Sequence, residues 1–257
     1  MIVTLLGTGT SQGVPILGCD CEVCRSKDPK DRRLRSSALI ETDTTRILID
    51  AGPDIREQLL SVPFRKIDAL LVSHIHYDHV GGMDDLRPYC YAFKGMEVYA
   101  EANVNHGLRH MMPYCFPSDP ALLYPGAPIL NLHDIVPHEP LIFGNIDVLP
   151  LRVMHDKMPI LGFRFGDFAY ITDMKSMEDS EYKYLLGVKV LVLNALRWEK
   201  PHHSHQIIPE AIEVARRIGA ERTIFMHVTH QIGLHREANS RLPKGFEFGY
   251  DGMKITL

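Results

Sequence analysis

The sequence predicts a mixed α/β fold organised around β-sheets, and two patterns carry this prediction. Runs of apolar and β-branched residues bounded by turn residues dominate the first two-thirds of the chain, which is typical of strands. Strand-like runs then alternate with amphipathic helical stretches towards the C-terminus. Because the 257 residues show neither internal repeats nor long linkers, we expect one domain that spans 1–257.

The predicted strands are apolar runs that end at polar or glycine-containing turns. The first run ends at Gly7, and the polar turn 43–45 separates the second run from the third. The fourth, rich in Leu and Val, leads directly into a histidine-rich segment. In chain order the predicted strands are 1–6, 37–42, 46–50, 67–72, 97–100, 141–153, 160–165, 168–172, 188–194 and 223–226.

Helices are predicted where apolar residues recur at helical spacing. Pro53 begins one such stretch, in which Ile55 and Leu59 share a face, and Gly219 ends another. The predicted helices are 53–61, 101–112, 178–186 and 209–218, with a further start at 84–86. Residues 101–143 as a whole form the least regular stretch, rich in Pro, Tyr and His, and we expect a cap-like, substrate-facing insertion there.

Composition argues against several classes of protein. The formal charge of −4, from 28 Lys and Arg against 32 Asp and Glu, leaves no basic stripe, so extended nucleic acid is not an expected partner. No stretch approaches the roughly 18 apolar residues of a membrane-spanning helix, and we expect no membrane partner. Residues 1–13 reach glycines without a basic leader, which argues against a signal peptide and predicts a cytoplasmic protein.

The segment after the fourth predicted strand carries four metal-binding side chains in the order HxHxDH. His74 and His76 lie two residues apart, so both point to one side of an extended segment and can hold one metal ion. Asp78 and His79 follow after the chain turns and can hold a second ion nearby. Imidazole and carboxylate groups suit Zn, Mn or Fe. Together with the two glycines that follow, this order indicates a metal site rather than a merely polar loop.

Three of the five cysteines, Cys19, Cys21 and Cys24, crowd into six residues near the N-terminus. Their CxCxxC spacing is compatible with a zinc site, a redox centre or a cluster of free thiols. A disulfide scaffold is not expected, because the chain is long and poor in cysteine. Cys90 and Cys115 stand alone and are interpreted as small buried residues.

The HIHYDHVGG segment resembles the HxHxDH signature of the metallo-β-lactamase superfamily, and the resemblance extends over nearly the whole chain. Within that superfamily, residues 18–24, the HVTH segment at 227–230 and the closing FGYDGM at 248–253 resemble the PhnP-type phosphodiesterases, which are relatives of ribonuclease Z. The resemblance implies an αββα sandwich, in which two mixed sheets pack face to face between helices. It also implies a dinuclear metal site at one edge of the sandwich.

The resemblance implies the remaining ligands of the two metal ions. His155, after a predicted strand, would complete the site of the first histidine pair, and His227 would complete the site of the aspartate–histidine pair. Asp173 resembles the carboxylate that bridges both metals, and Asp50 a carboxylate that orients the ligand imidazoles, although it could instead cap a turn. The expected ligands are therefore His74, His76, Asp78, His79, His155, Asp173 and His227, with Asp78 also counted as catalytic.

The same resemblance gives the cysteine cluster a fourth partner in His230. Three thiolates and one imidazole form a closed tetrahedral zinc site. Such a site would pin the zinc-binding loop 19–24 to the junction after the last predicted strand, because metal binding is coupled to folding. Two catalytic divalent ions and one structural Zn are thus the expected cofactors.

A histidine that assists the leaving group is expected in the segment 202–205. In PhnP-type enzymes and ribonuclease Z a histidine at this place acts as phosphate ligand or general acid, and His205 matches that position best. His202 and His203 remain rival candidates. Arg197 could contact substrate or pack its stem on Trp198, and the sequence leaves both interpretations open.

The expected function is hydrolysis of a small phosphodiester, nucleotide or cyclic phosphate by a metal-bound hydroxide. A lactonase, thioesterase or β-lactamase on the same scaffold is the first alternative, since HxHxDH does not separate these activities. A ribonuclease Z-like tRNA processor is the second, although no long glycine- and proline-rich arm is visible in the sequence. A PqqB-like metal-binding accessory protein is the third. Resembling enzymes are often dimers, so a homodimer is also an open expectation.

Overall fold

Two β-sheets pack face to face in the computed structural model, which describes residues 1–257 with the exception of the side chain of Pro120. Within the described residues each sheet has seven strands. The first sheet contains, in spatial order, β14 (Lys254–Thr256), β1 (Ile2–Gly7), β2 (Ser37–Glu41), β3 (Arg46–Ile49), β4 (Ala69–Leu71), β5 (Met96–Ala100) and β6 (Leu130–Asp134). The second contains β13 (Phe246–Phe248), β12 (Arg222–Met226), β11 (Val190–Asn194), β10 (Phe168–Ile171), β9 (Met158–Phe165), β8 (Ile146–His155) and β7 (Leu141–Phe143).

Each sheet combines an antiparallel half with a parallel half. In the first sheet β3 to β6 are parallel neighbours, whereas β14, β1, β2 and β3 pair antiparallel. In the second sheet β10 to β13 are parallel, whereas β7 to β10 pair antiparallel. The carboxyl ends of parallel strands meet at one edge of a sheet, so the loops that follow them gather there.

The interior forms because strand side chains alternate between two buried faces. On β3, Ile47 and Ile49 pack between the two sheets, while Leu48 packs under the helices that cover the first sheet. On β10, Phe168 lies between the sheets and Ala169 lies under the helices of the second sheet. Successive strand residues point to opposite faces, and both faces are covered here, which explains the continuous apolar runs in the sequence.

Helices cover both outer faces of the sandwich. The α-helices are Glu22–Arg25, Ile55–Leu60, Tyr77–Val80, Arg87–Phe93, Ala102–Met111, Ile208–Ile218 and His235–Ser240. Short 3₁₀ helices occur at Pro29–Asp31, Met83–Leu86, Pro113–Cys115, Pro120–Leu122, Asp179–Leu185 and His230–Ile232. None of the helices among the described residues combines the length and apolar character needed to cross a membrane. The helix–sheet–sheet–helix layering and the mixed sheets confirm the predicted αββα sandwich.

Several elements differ from those expected from the sequence. The single strand expected at 141–153 is two strands, because Gly144 adopts a left-handed φ of 56° and turns the chain between β7 and β8. The helix expected at 178–186 is the 3₁₀ helix Asp179–Leu185. The predicted helix start at 84–86 is a 3₁₀ turn that leads into the helix Arg87–Phe93.

The range 101–143 contains more regular structure than its composition suggested. The helix Ala102–Met111 buries Val104 and Leu108 against the first sheet, and β6 pairs with β5 at the edge of that sheet. Both elements are therefore part of the sandwich. A cap-like role for the residues between them stays a prediction.

Candidate metal centres

Most of the predicted ligands follow parallel strands of the two sheets, whereas His155 is the last residue of the antiparallel strand β8. Asp50 follows β3 and the HxHxDH segment follows β4, whereas Asp173 follows β10 and His227 follows β12. Asp50 of the first sheet and Asp173 of the second both contact His79. The carboxyl ends of the parallel strands in the two sheets therefore meet at one edge of the sandwich, where ligands bind in open α/β sheets.

Three of these residues adopt the left-handed backbone conformation, which non-glycine residues rarely use. Asp50, Asp173 and His227 have φ values of 59°, 56° and 53°. Each follows a buried strand directly, so the turn brings the side chain into the site within one or two residues of the sheet. Such conformations cost about 1–2 kcal/mol each, and they cluster where a site requires a particular side-chain direction.

The most buried cluster consists of Asp78, His79, Asp173 and His227, whose ligand atoms all lie within 4.8 Å of one another. The Nε2 atom of His79 is 3.2 Å from a carboxylate oxygen of Asp78 and 3.2 Å from one of Asp173. Nevertheless Nε2 has no hydrogen-bond partner among the described residues. A buried imidazole nitrogen 3.2 Å from two carboxylates, without the geometry of a hydrogen bond to either, fits a position beside a metal cation.

Asp50 holds the His79 ring in place. Its Oδ2 atom accepts a hydrogen bond of 2.7 Å from His79 Nδ1 and another of 2.8 Å from Ser73 Oγ. This contact keeps a proton on Nδ1 and turns Nε2 towards the cluster. Although burial lowers it, the carboxylates of Asp173, Asp50 and Asp78 raise the pKa of His79 well above its usual value, so a bound cation would take the place of a proton on Nε2. The contact that the predicted role of Asp50 requires is present, and the role itself stays a prediction.

The carboxylates of the cluster are ionised despite their burial. Although burial opposes ionisation, the neighbouring rings of His227 and His79 hold the pKa of Asp173 well below its usual value. The ring of His79 likewise holds the pKa of Asp78 below its usual value against the effect of burial. Negative charge in such a confined, nearly dry space favours a divalent cation.

The second predicted group, His74, His76 and His155, lies beside this cluster. The facing ring nitrogens of His74 and His76 are 3.1 Å apart, and burial lowers the pKa of both rings, so they are neutral. The ring centroid of His155 is 5.5 Å from that of His74 and 5.0 Å from that of His76. His155 Nδ1 donates to the backbone carbonyl of Asp173 at 2.7 Å, which leaves Nε2 available as a ligand. Three imidazoles beside the carboxylate cluster, those of His74 and His76 neutral, fit a second cation.

His205 reaches the same centre from the loop after β11. A ring nitrogen of His205 lies within 4.8 Å of ligand atoms of both His155 and Asp173. Its Nδ1 atom is 3.7 Å from Asp173 Oδ1 and has no hydrogen-bond partner among the described residues. Burial, together with the neighbouring His227, lowers the pKa of His205 to about 3. The ring is therefore neutral at pH 7 and carries one N–H.

The rival candidates lie further out along the same loop. The ring of His202 is 5.1 Å from that of His205, and its Nδ1 accepts a hydrogen bond from the Ser204 backbone. Arg197 donates to the Lys200 carbonyl and to the Gln231 side chain. The guanidinium of Arg241 lies 4.0 Å from the ring centroid of Trp198. Contact of Arg197 with substrate and packing of its stem on Trp198 both stay predictions.

Two polar residues of the site were not expected from the sequence. Ser36 Oγ lies 3.0 Å from His227 Nδ1 and donates to the Gly9 carbonyl, while Thr10 Oγ1 lies 3.2 Å from His227 Nε2. His227 Nδ1 is also 3.1 Å from Asp173 Oδ2. Ser36 directly precedes β2 and Thr10 lies in the glycine-containing loop after β1, so only their strand-end positions hinted at a role.

The cysteine cluster assembles as the resemblance implied. The Sγ atoms of Cys19, Cys21 and Cys24 lie 3.3, 3.3 and 3.5 Å from His230 Nδ1. In a tetrahedral zinc site, bonds of 2.3 Å to sulfur and 2.0–2.1 Å to nitrogen separate these atoms by about 3.6 Å. Although burial raises it, hydrogen bonds from Cys24, Cys19 and His230 lower the pKa of the Cys21 thiol to about 6. The distances and the thiolate fit a structural zinc ion.

Comparisons with known proteins identify the family of the chain. A family model described as a beta-lactamase superfamily domain matches residues 45–228. An octanoyltransferase from Porphyromonas gingivalis is 44% identical over 254 residues, which make up 98% of this chain and 51% of that protein. The chain therefore spans about half the length of this relative.

Two solved structures extend the comparison to three dimensions. The crystal structure of a diphosphatase from the PhnP family superposes with a TM-score of 0.90 at 38% identity, covering 99% of this chain and 96% of that one. The Zn²⁺-bound PqqB from Methylobacterium extorquens superposes with a TM-score of 0.79 at 19% identity, covering all of both chains. The second similarity is one of fold.

Proposed function

Because the chain belongs to the beta-lactamase superfamily, we propose that it is a metal-dependent phosphodiesterase that cleaves a small phosphodiester, nucleotide or cyclic phosphate. The observation that carries this proposal is the buried cluster of Asp78, His79, Asp173 and His227 with His205 beside it. The 38% identical diphosphatase supports phosphate chemistry over other chemistry on this scaffold. The match of the family model to residues 45–228 confirms the superfamily that the HxHxDH segment predicted.

We propose that two divalent cations occupy the cluster. Asp78, His79 and His227 would hold one ion, the group of His74, His76 and His155 the other, and Asp173 would bridge them. When bound, such a pair of ions lowers the pKa of water and polarises a phosphoryl oxygen. The residues suit Zn, Mn or Fe, and a separate Zn would be held by Cys19, Cys21, Cys24 and His230.

His205 is proposed to donate a proton to the departing ester oxygen. As water adds to phosphorus and the ester P–O bond breaks, negative charge develops on the leaving oxygen. A bound phosphate anion would raise the pKa of the ring from about 3, so that the ring takes up a proton together with the substrate. The imidazolium then gives this proton to the leaving oxygen and returns to the neutral form. The ring centroid of His202 lies 5.1 Å from that of His205, and His202 would then act only through contact with His205 or with the substrate.

Other activities remain as competing proposals that one assay separates. The name of the 44% identical relative concerns acyl transfer, but that protein is about twice as long, and its name does not say which half transfers the acyl group. Lactonase, thioesterase and β-lactamase activity, tRNA processing and a PqqB-like accessory role are the further alternatives. The confined cluster favours a small anionic substrate. The net charge of −4 disfavours extended nucleic acid, whose binding depends on a basic surface.

The test is a substrate panel after reconstitution with Zn, Mn or Fe. We expect hydrolysis of bis-p-nitrophenyl phosphate and little or no turnover of a lactone, an octanoyl thioester, a cephalosporin or a precursor tRNA. Turnover of the thioester without turnover of the diester would overturn the proposal in favour of acyl chemistry. No turnover of any substrate, with both ions bound, would favour the accessory role. Light scattering of the same sample tests the expected homodimer.

A further inference from the structure

The closing segment FGYDGM at 248–253 runs from the end of β13 to the start of β14. Among the described residues, none of its side chains belongs to either candidate metal centre. Three hydrogen-bond donors from two distant parts of the chain nevertheless converge on the carboxylate of its acidic residue, Asp251. The segment therefore does more than connect two edge strands.

The Asp251 carboxylate holds two loop segments, residues 8–10 and residues 34–36. Its Oδ1 atom accepts hydrogen bonds of 2.8 Å from the backbone N–H and from the hydroxyl of Thr8, which directly follows β1. Its Oδ2 atom accepts a hydrogen bond of 2.6 Å from the backbone N–H of Leu34, three residues before β2. Asp251 lies 243 and 217 positions from these residues, so it fixes both segments from the far end of the chain.

The carboxylate of Asp251 is ionised at pH 7. Its three partners are all donors, and only an ionised carboxyl group is purely an acceptor. Burial raises the pKa of Asp251, and the hydrogen bonds to its oxygens limit the rise to about 6. The guanidinium of Arg33 donates to the Thr8 hydroxyl at 2.8 Å, so that this hydroxyl connects the cation with the carboxylate. Such charge-assisted hydrogen bonds are roughly twice as strong as neutral ones.

The two segments are joined to each other and to the chain that follows β12. Gly9 N donates to the Leu34 carbonyl at 2.8 Å. On the other side, Thr10 N donates to the Val228 carbonyl and Val228 N donates to the Thr8 carbonyl, both at 3.2 Å. Segment 8–10 therefore lies between segment 34–36 and the residue that follows the last histidine of the dinuclear cluster.

The same two segments carry the side chains that contact the ring of His227. Thr10 Oγ1 lies 3.2 Å from His227 Nε2, and Ser36 Oγ lies 3.0 Å from His227 Nδ1. Thr10 comes two residues after Thr8, and Ser36 comes two residues after Leu34. Both contact residues and the ring are buried, so the position of the ring depends on where the two segments are held.

We propose that Asp251 is a positioning residue for the dinuclear cluster. By fixing segments 8–10 and 34–36, it keeps Thr10 and Ser36 against the His227 ring and so sets the direction in which the ring meets its cation. The inference rests on the proposed cation site, because the direction of this ring matters for binding only if His227 is a ligand.

The first test is Asp251→Asn, with the affinity of the protein for Mn²⁺ measured against a competing chelator. The amide has one acceptor oxygen in place of two, so either Thr8 or Leu34 loses its acceptor. We expect the Mn²⁺ affinity to fall about 10-fold or more, as is typical when the support of a metal-binding imidazole is lost. An affinity within about twofold of the parent would overturn the inference.

A double-mutant cycle separates positioning from a general effect on stability. In Thr10→Val/Ser36→Ala the two segments lose their hydroxyl contacts with His227, so adding Asp251→Asn should weaken Mn²⁺ binding by only about threefold or less. The melting temperature should fall with Asp251→Asn in both backgrounds, because the same donors lose their acceptor. Equal losses of affinity in the two backgrounds would mean that Asp251 serves only the fold, and the inference would be wrong.

Thr8 provides a milder test that does not depend on the folding of Asp251→Asn. Thr8→Val removes one of the three donors and keeps the shape of the side chain, so the Mn²⁺ affinity should fall about threefold or more. Thr8→Ser keeps the hydroxyl and should restore the affinity to within about twofold of the parent. Equal affinities of Thr8→Val and Thr8→Ser would contradict the inference.

Asp68→Asn is the matched control. The Asp68 carboxylate also accepts a hydrogen bond from a backbone N–H, that of Arg46 at 2.9 Å, but at the start of β3 and thus at the opposite edge of the sheet. The Mn²⁺ affinity of Asp68→Asn should stay within about twofold of the parent, and a loss as large as that of Asp251→Asn would count against the inference. If the parent binds no Mn²⁺, the proposed cation site fails and the inference fails with it. If the parent binds Mn²⁺ and Asp251→Asn binds it equally well, the inference alone fails.

Discussion

The two candidate metal centres are built in opposite ways. The proposed dinuclear cluster consists of the seven expected ligands, which are His74, His76, Asp78, His79, His155, Asp173 and His227. Its residues are spread from 74 to 227 along the chain, and His79, Asp173 and His227 are 0%, 2% and 1% exposed. The Cys₃His cluster takes three of its four ligands from six consecutive residues of a half-buried loop. We expect the sandwich to hold the first cluster before any cation binds, and the loop of the second cluster to depend on its cation.

The backbone shows the same contrast. The dinuclear cluster and its support place three non-glycine residues, Asp50, Asp173 and His227, in the left-handed region. Near the Cys₃His cluster the residues with positive φ include Gly18 and Gly233, and glycine bears no such cost. The left-handed conformation costs about 1–2 kcal/mol of conformational free energy at each of the three residues, and it directs their side chains to one point. We expect the cysteine loop to obtain its geometry from bonds to an ion instead.

The largest effect should come from Asp173→Ala, which removes the carboxylate placed between the two groups of histidines. We expect loss of both catalytic cations and a fall of diesterase activity to the level of metal-free protein, because a bridging ligand serves both ions. Elemental analysis and a diesterase assay measure this. The zinc of the Cys₃His cluster should remain and provides the internal control. Full retention of all cations in Asp173→Ala would remove Asp173 from the ligand set.

The next largest effect should come from His205→Ala, which tests whether this ring is a ligand or a proton donor. We expect unchanged metal content and a loss in kcat of roughly 10²–10⁴-fold for alkyl diesters. The loss should shrink for p-nitrophenyl diesters, since p-nitrophenolate leaves without protonation. Lost metal would instead make His205 a ligand, and a raised KM with unchanged kcat would make it a binding residue. If alkyl diesters are cleaved as fast as by the parent, His202 and His203 should be tested in turn.

A smaller effect is expected for Asp50→Asn, which keeps the size of the side chain but removes its charge. The hydrogen bond from the Ser73 backbone N–H to Oδ1 can persist, while an amide NH₂ in place of Oδ2 no longer accepts from Ser73 Oγ or from His79 Nδ1. We expect metal affinity or activity to fall about 10- to 100-fold, as is typical for residues that orient a ligand imidazole. Isothermal titration with Mn or Zn measures the affinity. An unchanged affinity would mean that Asp50 only caps its turn.

The same contrast between the two clusters explains which site residues could be predicted from the sequence. The HxHxDH segment and the CxCxxC loop are local patterns, so spacing alone identified His74 and Cys19 as metal-binding candidates. Asp173 and His227 are single residues at strand ends, and only the resemblance to a family singled them out. Ser36 and Thr10 had no such pattern, because their contacts with His227 arise from loops more than 190 residues away in sequence.

The fold shows a similar limit. Continuous apolar runs identified the central strands, since both faces of strands such as β3 and β10 are buried. The edge strands β6, β13 and β14 were missed, because their burial is irregular and Asn131, His133 and Glu247 interrupt the apolar pattern. Their pairing depends on neighbours that are distant in sequence, which no local pattern records.

The smallest effect on activity, and the sharpest test of the comparison, should come from Cys21→Ser. The parent protein should contain more than two metal equivalents per chain, one of them zinc that exchanges slowly. Cys21→Ser should lose that zinc and melt about 5 °C or more lower, because a structural ion contributes directly to folding free energy. The dinuclear cluster should keep its cations, since the sandwich and not the loop holds its ligands.

Cys90→Ser, in the core under the first sheet, is the matched control and should keep all metal. Loss of the catalytic cations in Cys21→Ser at a temperature where it remains folded would show that His230 transmits the state of the loop to His227, three residues earlier. The two centres would then be one coupled unit. Unchanged zinc content and melting temperature would instead mean that the cysteines form a thiol cluster.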